Sequence, residues 1–544
     1  METHIKTPAL IVGGTTGGVA AALALGRNGV KCLVAEPTAL IGGQLTAQAV
    51  PPDENRWIEG VDGVQSATRS YLDFRERVRQ HYRQHPHASA DTRVSDHLNP
   101  GGGWVSRLCF EPVVGHAVLQ AMLKPYTDQG LADIRLGLKP VAADTVGDRI
   151  AAITLEHTKT GDRLVVEADY VLDATDLGDV YPLAGVEHFV GADGGDRFGE
   201  LHARGDQPNP ADQQSFCWCF ALEHRVGEDH RIDKPRDYDA WRSFVPDLNP
   251  PWPGPLFSWE IPGHDGKQRT LRMFAPPDDP GNEWELWRYR RIVDPAIYAA
   301  EHRETHPEVS LVNWVQMDYF RKPLLGVGED EARAALAGAR EQSACLLYWL
   351  QTEAPRPDGG AGWRGLRLHG EALGTDDGFA LSPYIREPRR LDALAMLTEA
   401  HVGAQQRLAA GVKRLSGPDL VPGEAFEDAV AIGSYHLDLH PTTGGFAGMY
   451  VASCPYRIPA RALLPKRIEN LVAAGKALGV SHLANGCTRL HPVEWGVGEA
   501  GGELIAQSLA SGRPPHAVAK PGPDRAALQA RLDRRGVPRA WPWD

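Results

Sequence analysis

Two stretches of this sequence carry residue types and spacings suited to chemistry. The first is Gly13-Gly14-Thr15-Thr16-Gly17-Gly18, a glycine-rich turn between an apolar run at residues 9–12 and an Ala/Leu run at residues 19–24. A strand, a tight turn and a helix in that order let the backbone approach a pyrophosphate, and the helix N-terminus supplies unpaired N–H groups and a partial positive charge to hold it. Gly13 and Gly18 fill the outer places of a G-x-G-x-x-G pattern, while Thr15 stands at the middle one. Glu36 follows the strand-like residues 31–35, about 20 residues past the turn, where a carboxylate accepts hydrogen bonds from both hydroxyls of an adenosine ribose. In the second stretch His436, Asp438 and His440 alternate, so that on a strand all three share one face. An imidazole is a suitable general base near neutral pH, which makes His440, then His436 and His491, the candidates. Arg386 and Arg489 are candidate clamps for a substrate carboxylate or oxyanion. The charged run 386–390 reads equally as a salt-bridged edge, and the face at 436–440 equally as an exposed edge or a pair of hydrogen-bonded core histidines.

The elements that must position these residues alternate strand and helix at first. A second strand at 31–35 is followed by Gly42-Gly43-Gln44-Leu45, which suits a backbone passing close to a cofactor. Residues 51–104 read as a helical insertion: Tyr71, Phe74, Val78 and Tyr82 form an apolar stripe on a helix at 70–84, and the segment ends in a flexible loop at 99–104. A helix opened by Pro112 runs to about residue 124, with a parallel strand at 133–136. Residues 150–155 and 163–167 read as an antiparallel meander, and residues 170–176 as a further strand delivering small residues to the cofactor edge. From 190 to 424 the rhythm stops, with strands expected at 215–223 and 285–293, a strand-like charged piece at 382–387, and helices at 309–318 and 332–350. A strand at 471–474 rejoins the first sheet, and Pro492 opens a helix with small positions at Gly496, Gly498, Gly501 and Gly502. The Pro/Arg-rich segment after Val518 is expected to pack loosely.

Composition narrows the class. At 544 residues two joined domains are expected, and a net charge of −13 argues against a nucleic-acid partner. No apolar run of about 18 residues appears, so no membrane span is expected, and the first residues lack a basic-then-apolar leader, which points to the cytoplasm. The seven cysteines are scattered and odd in number; Cys217-Trp218-Cys219 reads as core. His81 with His85 and His436 with His440 have His-x-x-x-His spacing without the Glu of H-E-x-x-H, so no metal site is expected.

These motifs, together with Asp173-Ala174-Thr175-Asp176-Leu177-Gly178-Asp179, Arg386-Glu387-Pro388-Arg389-Arg390, residues 433–440 and residues 464–489, resemble the FAD-dependent oxidoreductases of the glutathione-reductase-like two-dinucleotide-binding superfamily. More narrowly they resemble a bacterial family often labelled beside xanthan-lyase-like proteins. The resemblance covers most of the chain. It implies an α/β protein whose Rossmann-like FAD-binding domain comprises residues 1–50, 105–189 and 425–515, with a mixed α+β substrate domain at 190–424 and a tail at 516–544. It implies FAD with its ADP half on residues 13–18, Glu36 and Pro37, and adenine near Val141. The flavin would lie near Gly42, Gly43, Gln44, Leu45 and the helix at Val493, with Ala174, Thr175, Asp176, Gly475, Lys476 and Asn485 as further contacts. Two positions depart from the superfamily pattern: Asp176 replaces a glycine, and Lys476 replaces an acid. There is no C-x-x-x-x-C after the first helix and no second glycine-rich motif, so neither dithiol chemistry nor a dedicated nicotinamide domain is expected.

The function expected from this reading is dehydrogenation of a small organic substrate by hydride transfer to flavin N5, with reoxidation by oxygen or another acceptor. The alternatives are a monooxygenase with an external reductant and a non-redox isomerase or hydratase that keeps FAD as support. A second copy of the chain as partner is left open.

Overall fold

The computed structural model describes residues 2–263, 267–275, 285–415 and 420–543. The buried centre of its main sheet is built from short, continuous apolar runs, residues 9–12 and 32–35 among them. Strand β1 (Glu2–Val12) leads through the glycine turn into helix α1 (Thr16–Arg27), and β2 (Cys32–Glu36) pairs parallel to β1. Helices α2 (Arg69–Arg83) and α3 (Pro112–Asp128) precede β3 (Ala132–Leu136), which pairs parallel to β2. Strands β4 (Leu138–Val146), β5 (Arg149–His157) and β6 (Arg163–Asp173) form an antiparallel meander whose last member pairs parallel to β1. The pieces expected at 163–167 and 170–176 are therefore one strand, long enough to serve the meander at one end and the parallel sheet at the other.

A second, antiparallel sheet has the order β8-β9-β7-β10, from β7 (Phe220–His224), β8 (Arg291–Val293), β9 (Val309–Val312) and β10 (Leu366–Leu368). Helix α4 (Glu329–Thr352) matches the helix expected at 332–350. The helix expected at 309–318 is instead β9 and a short 3₁₀ turn at Val315–Met317, because Val-Ser-Leu-Val is a fully buried centre strand with no polar face to reveal its period. The strand expected at 285–293 begins as a helical turn at Leu286–Tyr289, and the one at 215–223 is confined to β7. Residues 382–387 form no strand; Tyr384 makes a single two-way backbone bridge to Cys217.

Toward the end of the chain β11 (Leu437–Leu439) pairs with β12 (Met449–Val451), and β13 (Leu471–Ala473) returns to the first sheet parallel to β6. Helix α5 (His482–Thr488), capped by the Ser481 hydroxyl, lies between β13 and the next helix. Helix α6 (His491–Ser511) has Pro492 in its first turn. The last segment does not pack loosely: α7 (Pro523–Arg535) lies against α6 with Leu528 and Leu532 wholly buried, and Trp541 is buried behind it. The insertion is equally well packed. Tyr71 and Phe74 of α2 set their rings against Trp495 of α6, at 5.5 and 5.6 Å. The loop at 99–104 is held, since a Cβ on Gly101 would sit 2.1 Å from the Arg291 carbonyl oxygen. Its glycines admit a neighbouring backbone rather than confer freedom.

Helices α1 and α6 cross at glycines. A Cβ on Gly498 would lie 2.0 Å from the Gly17 carbonyl oxygen, and one on Gly502 2.7 Å from that of Ala21. Gly498→Ala is expected to destabilise the protein by about 1–3 kcal/mol, as overpacked cores do. A urea titration of the variant beside wild type measures it; an unchanged midpoint would mean that the helices separate without cost.

Candidate functional site

The glycine turn is wedged against the backbone on three sides. Gly13 has φ +100°, and a Cβ there would meet the Ala174 carbonyl oxygen at 2.5 Å; one on Gly17 would meet that of Ala474 at 2.0 Å, and one on Gly18 that of Gly13 at 2.0 Å. The carboxyl ends of β1, β6 and β13 therefore meet at the N-terminus of α1, the crevice where open α/β sheets bind ligands. Thr15 caps α1, its Oγ1 accepting the Gly18 N–H and donating to the Ala174 carbonyl at 2.7 Å. Gly42 and Gly43 also have positive φ, and Gly43 packs on Thr15. This places Gly14, Thr16, Leu45, Thr175 and Gly475 around one turn; Pro37 follows β2 directly, and Val141 is half-buried on β4.

Glu36 ends β2 beneath this turn. Its carboxylate accepts the Gly14 N–H at 2.9 Å and the Thr38 N–H and O–H at 2.9 and 2.7 Å. Burial raises its pKa to about 7 against the pull of the Thr38 and Gly14 donors. The two departures from the superfamily pattern are partners: Lys476 Nζ lies 2.7 Å from Asp176 Oδ1 and donates to the Ile385 carbonyl at 2.9 Å. A buried cation where an acid was expected is thus matched by a carboxylate where a glycine was expected.

Glu494, in the first turn of α6, was not singled out from the sequence, where the small residues of that helix drew attention instead. Its Oε1 faces the Gly17 N–H at 3.4 Å, and Gln44 Nε2 donates to Oε2 and, at 3.0 Å, to the Arg489 carbonyl. Burial raises Glu494 to about 7, opposed by Lys476 and aided by Asp176. Asn485 on α5 donates to the Arg386 carbonyl at 2.9 Å, and Val493 is buried beside Glu494.

The alternation at 436–440 delivers two of its three residues to a buried charge cluster. His440 Nδ1 lies 2.8 Å from Asp318 Oδ2, and its Nε2 3.7 Å from Asp438 Oδ2. The Arg386 guanidinium is 2.9 Å from Asp318 Oδ1 and donates to the Ser215 carbonyl at 3.1 Å. Arg489 donates to Tyr384 Oη at 2.7 Å and pairs with Asp438 at 3.1 Å. Burial and Arg386 oppose protonation of His440, but Asp318 and Asp438 outweigh them and raise its pKa above the usual imidazole value. Both carboxylates are held low despite burial, Asp318 by Arg386 and Asp438 by His440 first.

Two of the expected bases stand elsewhere. His436 is exposed and stacks on Tyr450 at 4.0 Å, because the strand is only three residues long and His436 lies before it. His491 is buried, and its Nδ1 accepts the Asp53 N–H at 3.0 Å, leaving Nε2 to carry the proton. Burial, then Lys476, Arg290 and Arg489, push its pKa well below the usual value, which leaves a neutral ring whose Nε2–H is a donor. The clamps are also reassigned by their surroundings, since Arg386 and Arg489 are both committed to carboxylates.

Arg290 was missed. It is buried 3.8 Å from Asp53, and among the described residues its Nε and Nη1 have no hydrogen-bond partner. Only tertiary packing brings it beside Asp53, Tyr384 and Tyr435, so sequence spacing held no signal for it. Cys217 sets its Sγ 3.7 Å from Arg386. All seven cysteines are free and buried.

Buried polar atoms without partners among the described residues, Gln44 Oε1, Asn485 Oδ1, Thr488 Oγ1 and Arg489 Nε, gather where the turn, α5 and α6 meet. With a glycine cradle no side chain can enter and the Glu36 carboxylate at the end of β2 below it, these residues fit a dinucleotide. The sequence profile of the FAD dependent oxidoreductase family matches residues 9–532. The chain belongs to this family. It is an FAD-dependent oxidoreductase, and its cofactor is FAD. No curated protein matches it. Among solved structures it is similar to a geranylgeranyl bacteriochlorophyll reductase-like protein of Thermoplasma acidophilum, at 9% identity over 98% of this chain and 85% of that one, with a TM-score of 0.32. THI4 of Thermovibrio ammonificans is 19% identical over 35% of this chain and 66% of that one, with a TM-score of 0.21. The glycerol-3-phosphate dehydrogenase of Bacillus halodurans is 10% identical over 40% of each chain, with a TM-score of 0.24. The chain thus spans less than two thirds of the length of several solved structures it matches, the myxobacterial halogenase CndH among them at 45%. At these TM-scores the likenesses define neither the fold nor the reaction. No described helix is long and apolar enough to cross a membrane.

Glu36 sets a pH dependence. Its pKa stands at about 7 in the fold against an ordinary 4.5, so the native state holds a proton that the unfolded chain releases first. Stability of the apoprotein therefore falls as pH rises from about 4.5 through about 7. Glu36→Gln is expected to flatten this slope, read as urea midpoints at pH 5 and pH 8; an unchanged slope would show that burial does not strain this carboxylate.

Proposed function

We propose that this protein is a member of the glutathione-reductase-like superfamily that dehydrogenates a small organic substrate, with oxygen or another acceptor completing turnover. In this reading the parallel sheet with α1, α5 and α6 forms the FAD-binding unit, and the antiparallel sheet of residues 190–424 encloses the substrate. FAD, when bound, supplies an acceptor for a hydride; the protein supplies binding, orientation and proton removal.

The observation that carries the proposal is the pair of half-buried His440 and buried Asp318. With Nδ1–H directed at Asp318, 2.8 Å away, the neutral ring presents its Nε2 lone pair. Nε2 takes the proton of a substrate O–H or N–H, and Asp318 and Asp438 stabilise the imidazolium that forms. Arg386 is a positioning residue in this scheme, fixing Asp318, and Arg489 does the same for Asp438. Arg290, whose Nε and Nη1 make no hydrogen bond among the described residues, supports an anionic substrate such as a carboxylic acid. The cation held by Asp176 and the backbone N–H groups of Thr15 and Thr16 at the start of α1 support a pyrophosphate there.

Anaerobic mixing with a panel of hydroxy acids, amino acids, alcohols and sugars tests the reaction, since a substrate bleaches the flavin band. With that substrate, kcat/KM is expected to fall as pH drops through a pKa above 6.5, because the base must be neutral and its pKa is raised. His440→Gln is expected to lower the rate of flavin reduction by about 10²–10⁴-fold and to abolish that acid limb. A variant that keeps both rate and limb would remove His440 from the chemistry.

A further inference from the structure

Away from this site, four histidines from two distant segments come together. His85 and His87 lie just beyond the C-terminal end of α2; His302 and His306 lie in the connection between β8 and β9. The rings of His85 and His87 are 5.3 Å apart, those of His85 and His306 5.4 Å, and those of His87 and His306 5.1 Å. His302 stacks on His87 at 3.8 Å. One nitrogen from each of His85, His87 and His306 lies within 4.8 Å of the other two, and all three rings are half-buried. We propose that His85, His87 and His306 form a binding site for a divalent transition-metal ion, zinc first, that ties the end of α2 to the antiparallel sheet.

The donor chemistry supports a borderline-soft cation, because three imidazoles and no carboxylate favour zinc, nickel or copper over magnesium or calcium. His306 Nδ1 lies 2.9 Å from the His302 carbonyl oxygen and donates to it, which leaves the Nε2 lone pair for an ion and fixes the ring as carbonyl partners do at metal sites. His87 Nδ1 is buried and has no hydrogen bond among the described residues. His85 Nδ1 receives the His87 N–H at 3.2 Å, a long contact that an ion replaces. Rotation about the side-chain bonds brings the nitrogens to the distances of about 2.0–2.1 Å from a common ion that imidazole ligands require.

The two segments are already joined by backbone. Ser89 N–H donates to the Ile297 carbonyl at 2.9 Å, and Ala299 N–H to the His87 carbonyl at 2.9 Å. The scaffold is therefore held before an ion arrives, and the half-buried rings leave a coordination position for water or His302. The His81/His85 spacing seen in the sequence contributes only His85. The signal that was passed over is His85-Pro86-His87, whose third ligand lies more than 200 residues away in sequence.

The test uses untagged, FAD-loaded protein, because a polyhistidine tag binds the same ions. After dialysis against a chelator the protein is titrated with zinc chloride in competition with a chromophoric chelator, and its Tm is read with and without zinc. One saturating equivalent and a raised Tm are expected. His87→Gln and His306→Gln are each expected to weaken zinc binding at least about tenfold and to abolish the Tm rise, while His436→Gln leaves both intact. Flavin content reports folding of each variant, and a visible cobalt(II) d–d spectrum of wild type reads the site where a variant does not fold. A wild-type protein with no saturable equivalent and no cobalt spectrum, or folded His87 and His306 variants that bind zinc as wild type does, would overturn the proposal.

Discussion

The structure depends on how closely backbones approach at the glycine turn. Gly13, Gly17 and Gly18 each stand where a Cβ would fall 2.0–2.5 Å from a carbonyl oxygen, and Gly498 repeats the constraint from the far side. With no side chain in the way, the N-terminus of α1 reaches the carboxyl edge of three parallel strands and is closed from behind by α6. Every other feature of the site inherits its place from this wedge. β2 delivers Glu36 beneath the turn, β13 delivers Gly475 and Lys476, and the start of α6 delivers Glu494 to the Gly17 N–H.

The second constraint is charge burial. Four cationic side chains, Arg290, Arg386, Arg489 and Lys476, are buried within this region, and each lies close to a carboxylate. Removing one member of such a pair leaves an uncompensated buried charge, which is far more costly than the pair itself is stabilising. The arrangement therefore fixes geometry more than it adds stability. Asp318 is held by a permanently charged Arg386 and so remains an anion against His440, which makes the imidazole a ready proton acceptor. Lys476 and Asp176 apply the same rule on the nucleotide side of the site.

Much of the parallel sheet was legible in the sequence because its strands are short, continuous apolar runs that end in glycine or an acid. What failed was legible only in three dimensions. Residues 309–312 are buried on both faces, so their pattern has no period with which to separate strand from helix. In α7 the Pro and Arg content concealed Leu528 and Leu532, four apart and both buried. His440 could be named from its alternation with Asp438, but Asp318, its nearer partner, lies 122 residues away and nothing local announces the pair. The roles of His491 and the two arginines changed for the same reason: residue type shows what a side chain is able to do, and its neighbours decide what it does.

The most direct measurement is a titration of the apoprotein with FAD and, separately, with FMN, for wild type and Glu36→Gln. If the glycine wedge and Glu36 hold an adenosine ribose, wild type prefers FAD by at least about tenfold, and Glu36→Gln lowers FAD affinity by about that factor without changing FMN binding, as expected for one charge-assisted hydrogen-bonding group. FMN bound as tightly as FAD, or FAD affinity untouched by Glu36→Gln, would contradict the account at its foundation.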